Sequence, residues 1–260
     1  MNTPLILQAK TFLVVGAAGR IGRVIVDSIL AAGGRVVALD TNDAGLRELT
    51  QAYSVNSLDC TVVDIADRAS INRALTYTHD RFGKVDGAVN TAYPRNPQYG
   101  RHFFDVEYAD FCENTSIHLG GYFLFMQTCA RYALEQKQPF SLVNLSSIYG
   151  SMTPRFNIYN GTTMTMPVEY AAIKAGIEHM TRYINAFMKG RGAAFRANCV
   201  SPGGIKDGQE ERFLESYRAH CMSKGMLDST DVIGTILFLL SDQSRFVAGQ
   251  TLIVDDGFSL

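Results

Sequence analysis

Tyr170 and Lys174 lie four residues apart in the segment EYAAIK, a spacing that places both side chains on one face of a helix. Because a neighbouring ammonium group favours phenolate over phenol, we expect Lys174 to lower the pKa of Tyr170 from its usual value of about 10. Such a phenol can donate a proton to a carbonyl oxygen or accept one from an alcohol. Ser147, at the end of the upstream segment NLSS, adds a hydroxyl group after an apolar, strand-like stretch.

A second candidate site is the glycine-rich loop that follows the apolar segment TFLVV. Gly16, Gly19 and Gly22 have the spacing GxxGxxG, with Arg20 and Ile21 between the last two glycines, and an amphipathic segment follows. The first glycine permits a tight turn, the second lets the backbone approach a pyrophosphate, and the third allows a helix to pack closely. A helix that begins here offers unpaired N–H groups and the positive end of its dipole. The loop therefore predicts a dinucleotide site.

Asp40 ends the next strand-like segment, VVALD, close to the separation of ~20 residues at which a carboxylate binds the adenosine ribose 2′-hydroxyl. This predicts NAD as the cofactor and makes NADP less favourable, because Thr41 and Asn42 supply no cation for a 2′-phosphate. Arg20 can reach a cofactor phosphate. The alternative is that Asp40 only caps the helix that follows.

The elements that must position these residues alternate between strand-like and helical segments, which predicts an α/β fold with a parallel sheet. Several strands are apolar throughout, as expected when helices cover both faces of the sheet. The predicted strands are 11–15, 35–39, 59–63, 85–90, 141–145, 194–200 and 251–254, and the predicted helices are 20–32, 43–53, 68–82, 105–135, 168–189, 209–223 and 229–241.

Long loops follow three of the central or late strands, at about 91–104, 146–167 and 201–225, where open α/β sheets bind ligands. The first two contain Arg95, Arg101 and Arg155 among aromatic residues that include Tyr93 and Tyr159. Guanidinium groups beside aromatic rings suit a phosphorylated or nucleotide-linked sugar. The alternatives are surface insertions and solvated arginines.

Composition limits the possible partners. The 260 residues are 47% apolar and show no linker, which predicts one domain spanning 1–260. The net charge of −1 argues against nucleic acid and anionic lipid, and no apolar run is long enough to cross a membrane. The first residues lack a signal-peptide pattern, so we expect a cytoplasmic protein. Five cysteines without a CxxC pair and five histidines without HExxH spacing predict no metal site.

Together, these motifs resemble the short-chain dehydrogenase/reductase family in family order over nearly the whole chain. The matching segments are GAAGRIG, the strand-end Asp40 and Asp64, NTA, NLSS, YAAIK and SPGGI. The resemblance implies a doubly wound Rossmann fold with a seven-stranded sheet. It also implies that Ser147 polarises the substrate carbonyl, that Tyr170 is the general acid/base and that Lys174 binds the nicotinamide ribose. The implied cofactor residues are Gly16, Gly19, Arg20, Ile21, Gly22, Asp40, Asp64, Ile65, Asn90, Ala92, Tyr170, Lys174, Pro202, Gly203 and Ile205, and the expected substrate residues are Tyr93, Arg95, Arg155 and Tyr159.

The chain departs from the family pattern at two points. His118 stands where a fourth catalytic residue is normally asparagine, and it would add a titratable group to the proton relay. The alternatives are that His118 only packs in the helix or that Asn114 takes the relay role. Tyr170 follows Ser147 by 23 positions, about twice the interval usual in the family. With NTAYPRN, HLGGYFLF and MTMPVEYAAIK, this insertion resembles a subgroup that modifies flagellin and makes surface sugars.

Three functions remain open from the sequence. The first is an NAD-dependent oxidoreductase that acts on a sugar alcohol or ketone, and the second is a dehydrogenase for an apolar alcohol, steroid or acyl substrate. The third is a non-catalytic dinucleotide-binding protein, suggested by His118. The resemblance also implies a homodimer or homotetramer, for which the candidate interface residues lie in the fourth and fifth predicted helices: Tyr122, Phe123, Phe125, Met126, Ala171, Ala172, Ile177 and Met180.

Overall fold

The computed structural model describes residues 6–51, 53, 54 and 56–260. Residues 1–5, which begin the segment that carries no signal-peptide pattern, lie outside the described residues, and the cytoplasmic location remains a prediction. No helix in the described part of the chain is both long enough and apolar enough to span a membrane.

A parallel sheet forms the centre of the molecule, and within the described residues it has seven strands in the order β3-β2-β1-β4-β5-β6-β7. This confirms the predicted doubly wound Rossmann fold. The order reverses between β1 and β4, so a crevice opens there beyond the carboxyl ends of the strands. The strands are β1 Thr11–Val15, β2 Arg35–Asp40, β3 Leu58–Val62, β4 Gly87–Asn90, β5 Phe140–Leu145, β6 Phe195–Pro202 and β7 Thr251–Val254.

Helices cover both faces of the sheet. One apolar cluster packs α3, α5 and α6 against the sheet, and a second packs α1, α2 and α8 against the other face. Burial on both sides explains why β1, β4 and β5 are buried along their whole length. The helices are α1 Arg20–Ala31, α2 Asp43–Gln51, α3 Arg68–Phe82, α4 Tyr108–Asn114, α5 Gly120–Gln136, α6 Val168–Met188, α7 Glu211–Arg218 and α8 Ile233–Leu240.

The prediction of one continuous helix over 105–135 is wrong. Val106 is extended, α4 begins at Tyr108, and a π-helical segment, Thr115–Leu119, separates α4 from α5. In that segment the Gly120 N–H bonds to the Thr115 carbonyl five residues earlier. Such a π turn inserts an extra residue into a helix, which periodicity in the sequence does not reveal.

Two other predicted helices are shorter in the structure. The helix expected over 209–223 is α7, Glu211–Arg218, and the helix expected over 229–241 begins with the 3₁₀ turn Ser229–Val232 before α8. In the second case Asp228 and Asp231 form a capping box at the turn. In both segments the helical pattern of polar and apolar residues extends beyond the α-helical hydrogen bonds, so the sequence overestimates the length of the helix.

Candidate functional site

A cavity of about 420 Å³ lies at the carboxyl edge of the sheet, where the loops after β1, β4, β5 and β6 meet α7. The predicted site residues on its wall come from five parts of the chain: Ile21, Tyr93, Ser147, Tyr159, Tyr170, Lys174, Pro202, Gly203 and Ile205. Parallel strands bring these segments together because all their carboxyl ends lie at one edge of the sheet.

The glycine loop has the geometry that a dinucleotide needs. Gly16 has a φ of +75°, in the left-handed region that favours glycine. A Cβ atom on Gly22 would lie 2.0 Å from the Gly16 carbonyl oxygen, so α1 can pack this closely only with glycine there. Gly19 is the N-cap residue of α1, and no side chain caps that helix end. The residues therefore fit a pyrophosphate at the start of α1.

Asp40 ends β2 at the edge of this loop. Its carboxylate accepts hydrogen bonds from the backbone N–H groups of Ala18 and Asn42, each at 3.0 Å. The side-chain acceptor at the start of α2 is Asn42, whose Oδ1 accepts from the Gly45 N–H, so Asp40 is not the cap of that helix. The Asp40 carboxylate is thus held beside the glycine loop, in a position to accept from a ribose hydroxyl.

Arg20 makes a different contact from the one that the sequence suggests. Its guanidinium pairs with Asp207 and donates to the Lys206 carbonyl oxygen, in the loop after β6. Arg20 therefore joins the glycine loop to the loop that carries Pro202 and Gly203. This contact spans the carboxyl edge of the sheet from the start of α1 to the loop after β6.

The other predicted cofactor residues lie at the ends of β3 and β4. Asp64 and Ile65 follow β3, and the Asp64 carboxylate accepts from the Ala66 N–H at 2.8 Å. Asn90 ends β4 and is fully buried; its Oδ1 accepts from the Ala92 N–H, while its Nδ2 has no hydrogen-bond partner among the described residues. A buried donor of this kind suits a ligand oxygen.

Tyr170, Ser147 and Lys174 lie together on the cavity wall. Ser147 lies close enough to Tyr170 for its side chain to act to lower the pKa of the phenol, and the Lys174 ammonium is 5.5 Å from the centroid of the Tyr170 ring. The expectation that the pKa of Tyr170 is lowered is wrong for this structure. Burial raises the pKa of the phenol, and the Ser147 side chain opposes this effect only in part.

Burial has the opposite effect on the lysine. Lys174 is almost fully buried, and burial lowers the pKa of its ammonium group to about 8, although Cys199 and Glu178 act to raise it. Its Nζ lies near the rings of Tyr93 and Tyr122 as well as that of Tyr170, at 5.5 to 5.9 Å from the ring centroids. The ammonium is therefore enclosed by aromatic rings beside the cavity.

His118 lies in the π-helical segment and is completely buried against the rings of Tyr93 and Tyr122. Neither ring nitrogen has a hydrogen-bond partner among the described residues. Burial, together with the positive charges of Lys174 and Arg95, lowers the pKa of His118 to about 2. The expectation that His118 adds a group titrating near neutral pH is therefore wrong, because the ring is uncharged there.

Asn114, the alternative relay residue, has a structural partner. Its amide group exchanges two hydrogen bonds with Asn96: the Asn96 N–H donates to Asn114 Oδ1 at 2.9 Å, and Asn114 Nδ2 donates to Asn96 Oδ1 at 3.2 Å. Asn114 therefore anchors the loop 91–104 on α4, and its amide faces that loop.

The structure does not bring the arginines of the long loops into the cavity. The Arg155 guanidinium donates to the backbone oxygens of Phe258 and Leu260, and Arg101 is paired with Asp110. Arg95 is exposed and stacks on the Tyr93 ring, 4.7 Å from its centroid, so it lies at the rim. Among the described residues that line the cavity, Lys174 is the only basic one.

Four tyrosines line the cavity beyond Ser147 and Tyr170, and the sequence pointed to two of them, Tyr93 and Tyr159. Tyr149 and Tyr159 lie with their hydroxyls 3.5 Å apart, and the Gly204 N–H donates to the Tyr217 hydroxyl at 2.6 Å. Burial raises the pKa of the Tyr149, Tyr159 and Tyr217 phenols, which keeps them uncharged. Tyr149 could have been predicted from the sequence because it lies two residues after Ser147, whereas no sequence signal marks Tyr217.

Metal-binding geometry is also missing from the part of the chain that the structure describes. No group of three His, Cys, Asp or Glu side chains there could hold a metal ion. The five cysteines, Cys60, Cys112, Cys129, Cys199 and Cys221, are all free. Cys112 is exposed, and Cys129 and Cys199 are buried.

Comparisons with known proteins agree with this geometry. A family model described as enoyl-(acyl carrier protein) reductase matches residues 16–259. Post-translational flagellin modification protein A of Campylobacter coli is 39% identical over 98% of this chain and 100% of its own length, and a 3-oxoacyl-acyl-carrier-protein reductase of Thermotoga maritima is 30% identical over 96% and 98%. A short chain dehydrogenase of Leptospira borgpetersenii with bound NAD⁺ superimposes with a TM-score of 0.83 at 30% identity, over 98% of this chain and 94% of that one. The chain belongs to the short-chain dehydrogenase/reductase family.

Proposed function

We propose that the protein is an NAD-dependent oxidoreductase that interconverts a ketone and a secondary alcohol on a sugar-type substrate. The observation that carries this proposal is the position of the Ser147 and Tyr170 hydroxyl groups on the wall of a cavity that four more tyrosines line. The first two groups suit proton transfer at one oxygen atom, and the others suit binding of further hydroxyls.

In the reduction, Tyr170 gives its proton to the ketone oxygen, while the Ser147 hydroxyl donates a hydrogen bond to the same oxygen. Bound nicotinamide supplies the hydride. The Lys174 ammonium stabilises the phenolate that forms on Tyr170. Because burial raises the pKa of Tyr170, the phenol holds its proton at neutral pH and can serve as the acid in ketone reduction. His118 serves as an uncharged hydrogen-bonding group in the path that returns a proton to Tyr170.

The position of Asp40 supports NAD as the cofactor. A 2′-phosphate on the adenosine ribose would lie next to this carboxylate and be repelled, whereas a 2′-hydroxyl can donate to it. Gly16, Gly19 and Gly22 would hold the pyrophosphate. The remaining cofactor contacts would come from the cavity wall, at Ile21, Pro202, Gly203 and Ile205, and from residues at or after the ends of β3 and β4: Asp64, Ile65, Asn90 and Ala92.

The lining of the cavity supports an uncharged sugar ring as the bound part of the substrate. Tyr149, Tyr159 and Tyr217 supply neutral hydroxyls, and Met164, Met166, Phe213 and Met226 supply apolar surface for a ring face. A phosphate or nucleotide attached to the sugar would meet Arg95 at the rim of the cavity. Arg155 does not face the cavity, because its guanidinium donates to the Leu260 backbone oxygen. The flagellin modification protein among the relatives supports a place in the synthesis of a surface sugar.

A second candidate is a dehydrogenase for an apolar alcohol, which the methionines and Phe213 in the cavity favour. For such a substrate, the three tyrosine hydroxyls would lose hydrogen bonds to water without replacement. Turnover of a hydrophobic ketone with a lower KM than any sugar ketone would establish this alternative.

The outer faces of α5 and α6 support a homodimer or homotetramer. Phe123 on α5 and Tyr183 and Phe187 on α6 are exposed. Of the interface residues suggested by the sequence, Tyr122, Phe125, Met126 and Ile177 are buried in the core of the chain, while Phe123 and Ala172 are exposed. A second copy would cover the exposed group. Light scattering that finds a monomer would reject this assembly.

The experiment that tests the function measures NADH consumption with a panel of keto sugars, their phosphates and nucleotide-linked forms, and hydrophobic ketones. Tyr170→Phe is the control, since it removes only the hydroxyl. We expect NADH binding to be retained in this variant and turnover to fall by about 10²-fold or more. If Tyr170→Phe is as active as the original protein, Tyr170 is not the acid. If both forms bind NADH but neither turns over any carbonyl compound, the non-catalytic alternative gains support.

A further inference from the structure

A buried carboxylate lies on the same helix as Tyr170 and Lys174, and nothing in the reaction described above uses it. Glu178 follows Lys174 by four residues on α6, so Tyr170, Lys174 and Glu178 lie along one helix face. Only 3% of Glu178 is exposed. A carboxylate in such a place is costly unless donors surround it.

Three serine hydroxyls from three segments donate to Glu178. Ser146, at the end of β5, and Ser201, in β6, donate to Oε1 at 3.0 and 2.8 Å. Ser151, in the turn after Ile148–Gly150, donates to Oε2 at 2.7 Å. Hydrogen bonds to an ionised acceptor are about twice as strong as those between neutral groups, so one carboxylate joins these segments to α6 firmly.

Each of these serines is close in sequence to a residue of the candidate active site. Ser146 precedes Ser147, which lines the cavity with Tyr170, and Ser201 precedes Pro202 and Gly203, which also line it. The Ser146 hydroxyl also lies 3.2 Å from the Lys174 carbonyl oxygen. Movement at Glu178 would therefore shift the strand ends relative to the helix that carries the acid.

Gly150 packs tightly against Glu178 and the backbone of α6. A Cβ atom on Gly150 would lie 2.7 Å from Glu178 Oε1 and 2.9 Å from the Lys174 carbonyl carbon. The turn after Ser147 can approach α6 this closely because residue 150 has no side chain. The contact is thus built from the helix, the turn and two strands together.

We propose that Glu178 is a positioning residue: its contacts with Ser146, Ser151 and Ser201 set the distance of Ser147 and of the Pro202–Gly203 segment from Tyr170 and Lys174. The role in turnover rests on the proposed function, whereas the role in shaping the cofactor side of the cavity does not. The carboxylate touches neither substrate nor cofactor in this role and acts through its neighbours.

The test compares three variants of the full-length protein. Glu178→Leu removes the acceptor, and Glu178→Gln keeps a similar shape and one oxygen for Ser146 and Ser201. Asn185→Leu is the matched control, because Asn185 also joins α6 to β6, through two hydrogen bonds with Ala197 at 2.8 and 3.0 Å, but on residues remote from the active-site end of the strand. For each variant, the Kd for NADH, kcat, KM and the melting temperature are measured.

We expect Glu178→Leu to lower kcat by about 10²-fold, the effect of a small misplacement of reacting groups, and to raise the Kd for NADH several-fold. Glu178→Gln should restore both values to within about threefold of the original protein. Asn185→Leu should lower the melting temperature with little change in kcat or in the Kd. Equal effects of Glu178→Leu and Asn185→Leu on kcat and on the Kd would overturn the proposal.

Two further outcomes are separated by the design. If Glu178→Leu does not fold, the double variant Ser146→Ala with Ser201→Ala replaces it, with the same losses expected, and unchanged values for that variant overturn the proposal. If the original protein binds NADH but turns over no carbonyl compound, the proposed function fails, while the Kd for NADH still tests Glu178: a raised value in Glu178→Leu supports its role, and an unchanged value rejects it.

Discussion

The Lys174 ammonium donates a hydrogen bond of 2.9 Å to the Leu145 carbonyl oxygen. This contact links the helix that carries Tyr170 to the end of β5, next to Ser146 and Ser147. The Tyr122 hydroxyl is 3.3 Å from the same oxygen but lies closer to the Asn90 carbonyl oxygen, at 3.0 Å. Lys174 therefore holds a charged group in a buried position.

Replacing Lys174 with methionine should stabilise the protein at neutral pH while abolishing turnover. Burial lowers the pKa of Lys174 from 10.5 to about 8, so below pH 8 the group is charged in both the folded and unfolded states and the folded state bears the cost of burying it. This cost is roughly 3 kcal/mol, and the lost hydrogen bond to Leu145 returns about 1 kcal/mol of it. We expect a net gain of about 2 kcal/mol.

The pH dependence of this gain provides the check. Between pH 8 and 10.5 the folded protein loses the Lys174 proton before the unfolded chain does, so the cost disappears as pH rises through this range. Denaturant unfolding at about pH 7 and about pH 10.5 should show the methionine variant to be more stable only at the lower pH. A gain of equal size at both values would show that the charge of Lys174 is not its cause.

Replacing His118 with asparagine should leave the pH profile of kcat unchanged between about pH 5 and 8. The pKa of His118 is lowered to about 2, so the ring is uncharged throughout this range and contributes no ionisation. An asparagine amide offers the same kind of neutral donor and acceptor, and we expect kcat within about threefold of the original value. His118→Leu, which offers neither, is the control and should be slower. An acid limb near the usual histidine pKa that His118→Asn removes would contradict this interpretation.

Replacing Asp40 with asparagine should shift cofactor preference towards NADPH. The carboxylate excludes a 2′-phosphate by repulsion, and the amide removes the charge while keeping one oxygen, which can accept from either the Ala18 or the Asn42 N–H. We expect calorimetry to show about tenfold weaker NADH binding and tighter NADPH binding. Asp43→Asn, which removes an exposed charge paired with Arg47 nearby, should change neither affinity. Unchanged selectivity between NADH and NADPH in Asp40→Asn would mean that another group recognises the 2′ position of the ribose.

Replacing Arg95 with alanine should raise the KM only for substrates that carry a phosphate beyond the sugar ring. The guanidinium lies on the Tyr93 ring at the rim, so it can meet an anion outside the cavity but not a neutral ring inside it. The expected increase is about tenfold for phosphorylated forms. Arg155→Ala is the control, and it should lower the melting temperature by freeing the chain end at Phe258 and Leu260 without affecting the KM. Equal KM increases for neutral and phosphorylated sugars would contradict the proposed role of Arg95 in binding a phosphate.

The residues that local patterns mark were the ones best predicted from the sequence. Gly16 and Gly22 need a backbone geometry that no other residue supplies, and Asp40 stands at a strand end at a set distance from them. Tyr170 and Lys174 share a helix face because the helix repeat requires it. The alternation of strands and helices in turn predicts a parallel sheet, which brings all these residues to one edge.

The predictions that failed concern residues whose environment comes from distant parts of the chain. The lowered pKa expected for Tyr170 took only the charge of Lys174 into account, whereas burial has the largest effect on the phenol and raises its pKa. Arg155 lies in a loop long enough to cover the substrate, yet its partners are residues more than 100 positions later. The sequence pattern does not show whether the side chain of Arg155 contacts a substrate or a distant part of the chain.

The sequence by itself determined the fold class, the family, the glycine loop and the shared helix face of Tyr170 and Lys174, because each depends on backbone geometry or on spacings of a few residues. Only the tertiary structure decided the charge states of Tyr170, Lys174 and His118, the tyrosine-rich lining of the cavity and the three serines that surround Glu178. These properties arise from burial and from contacts between segments widely separated in the chain, and both depend on how the helices and loops close over the sheet.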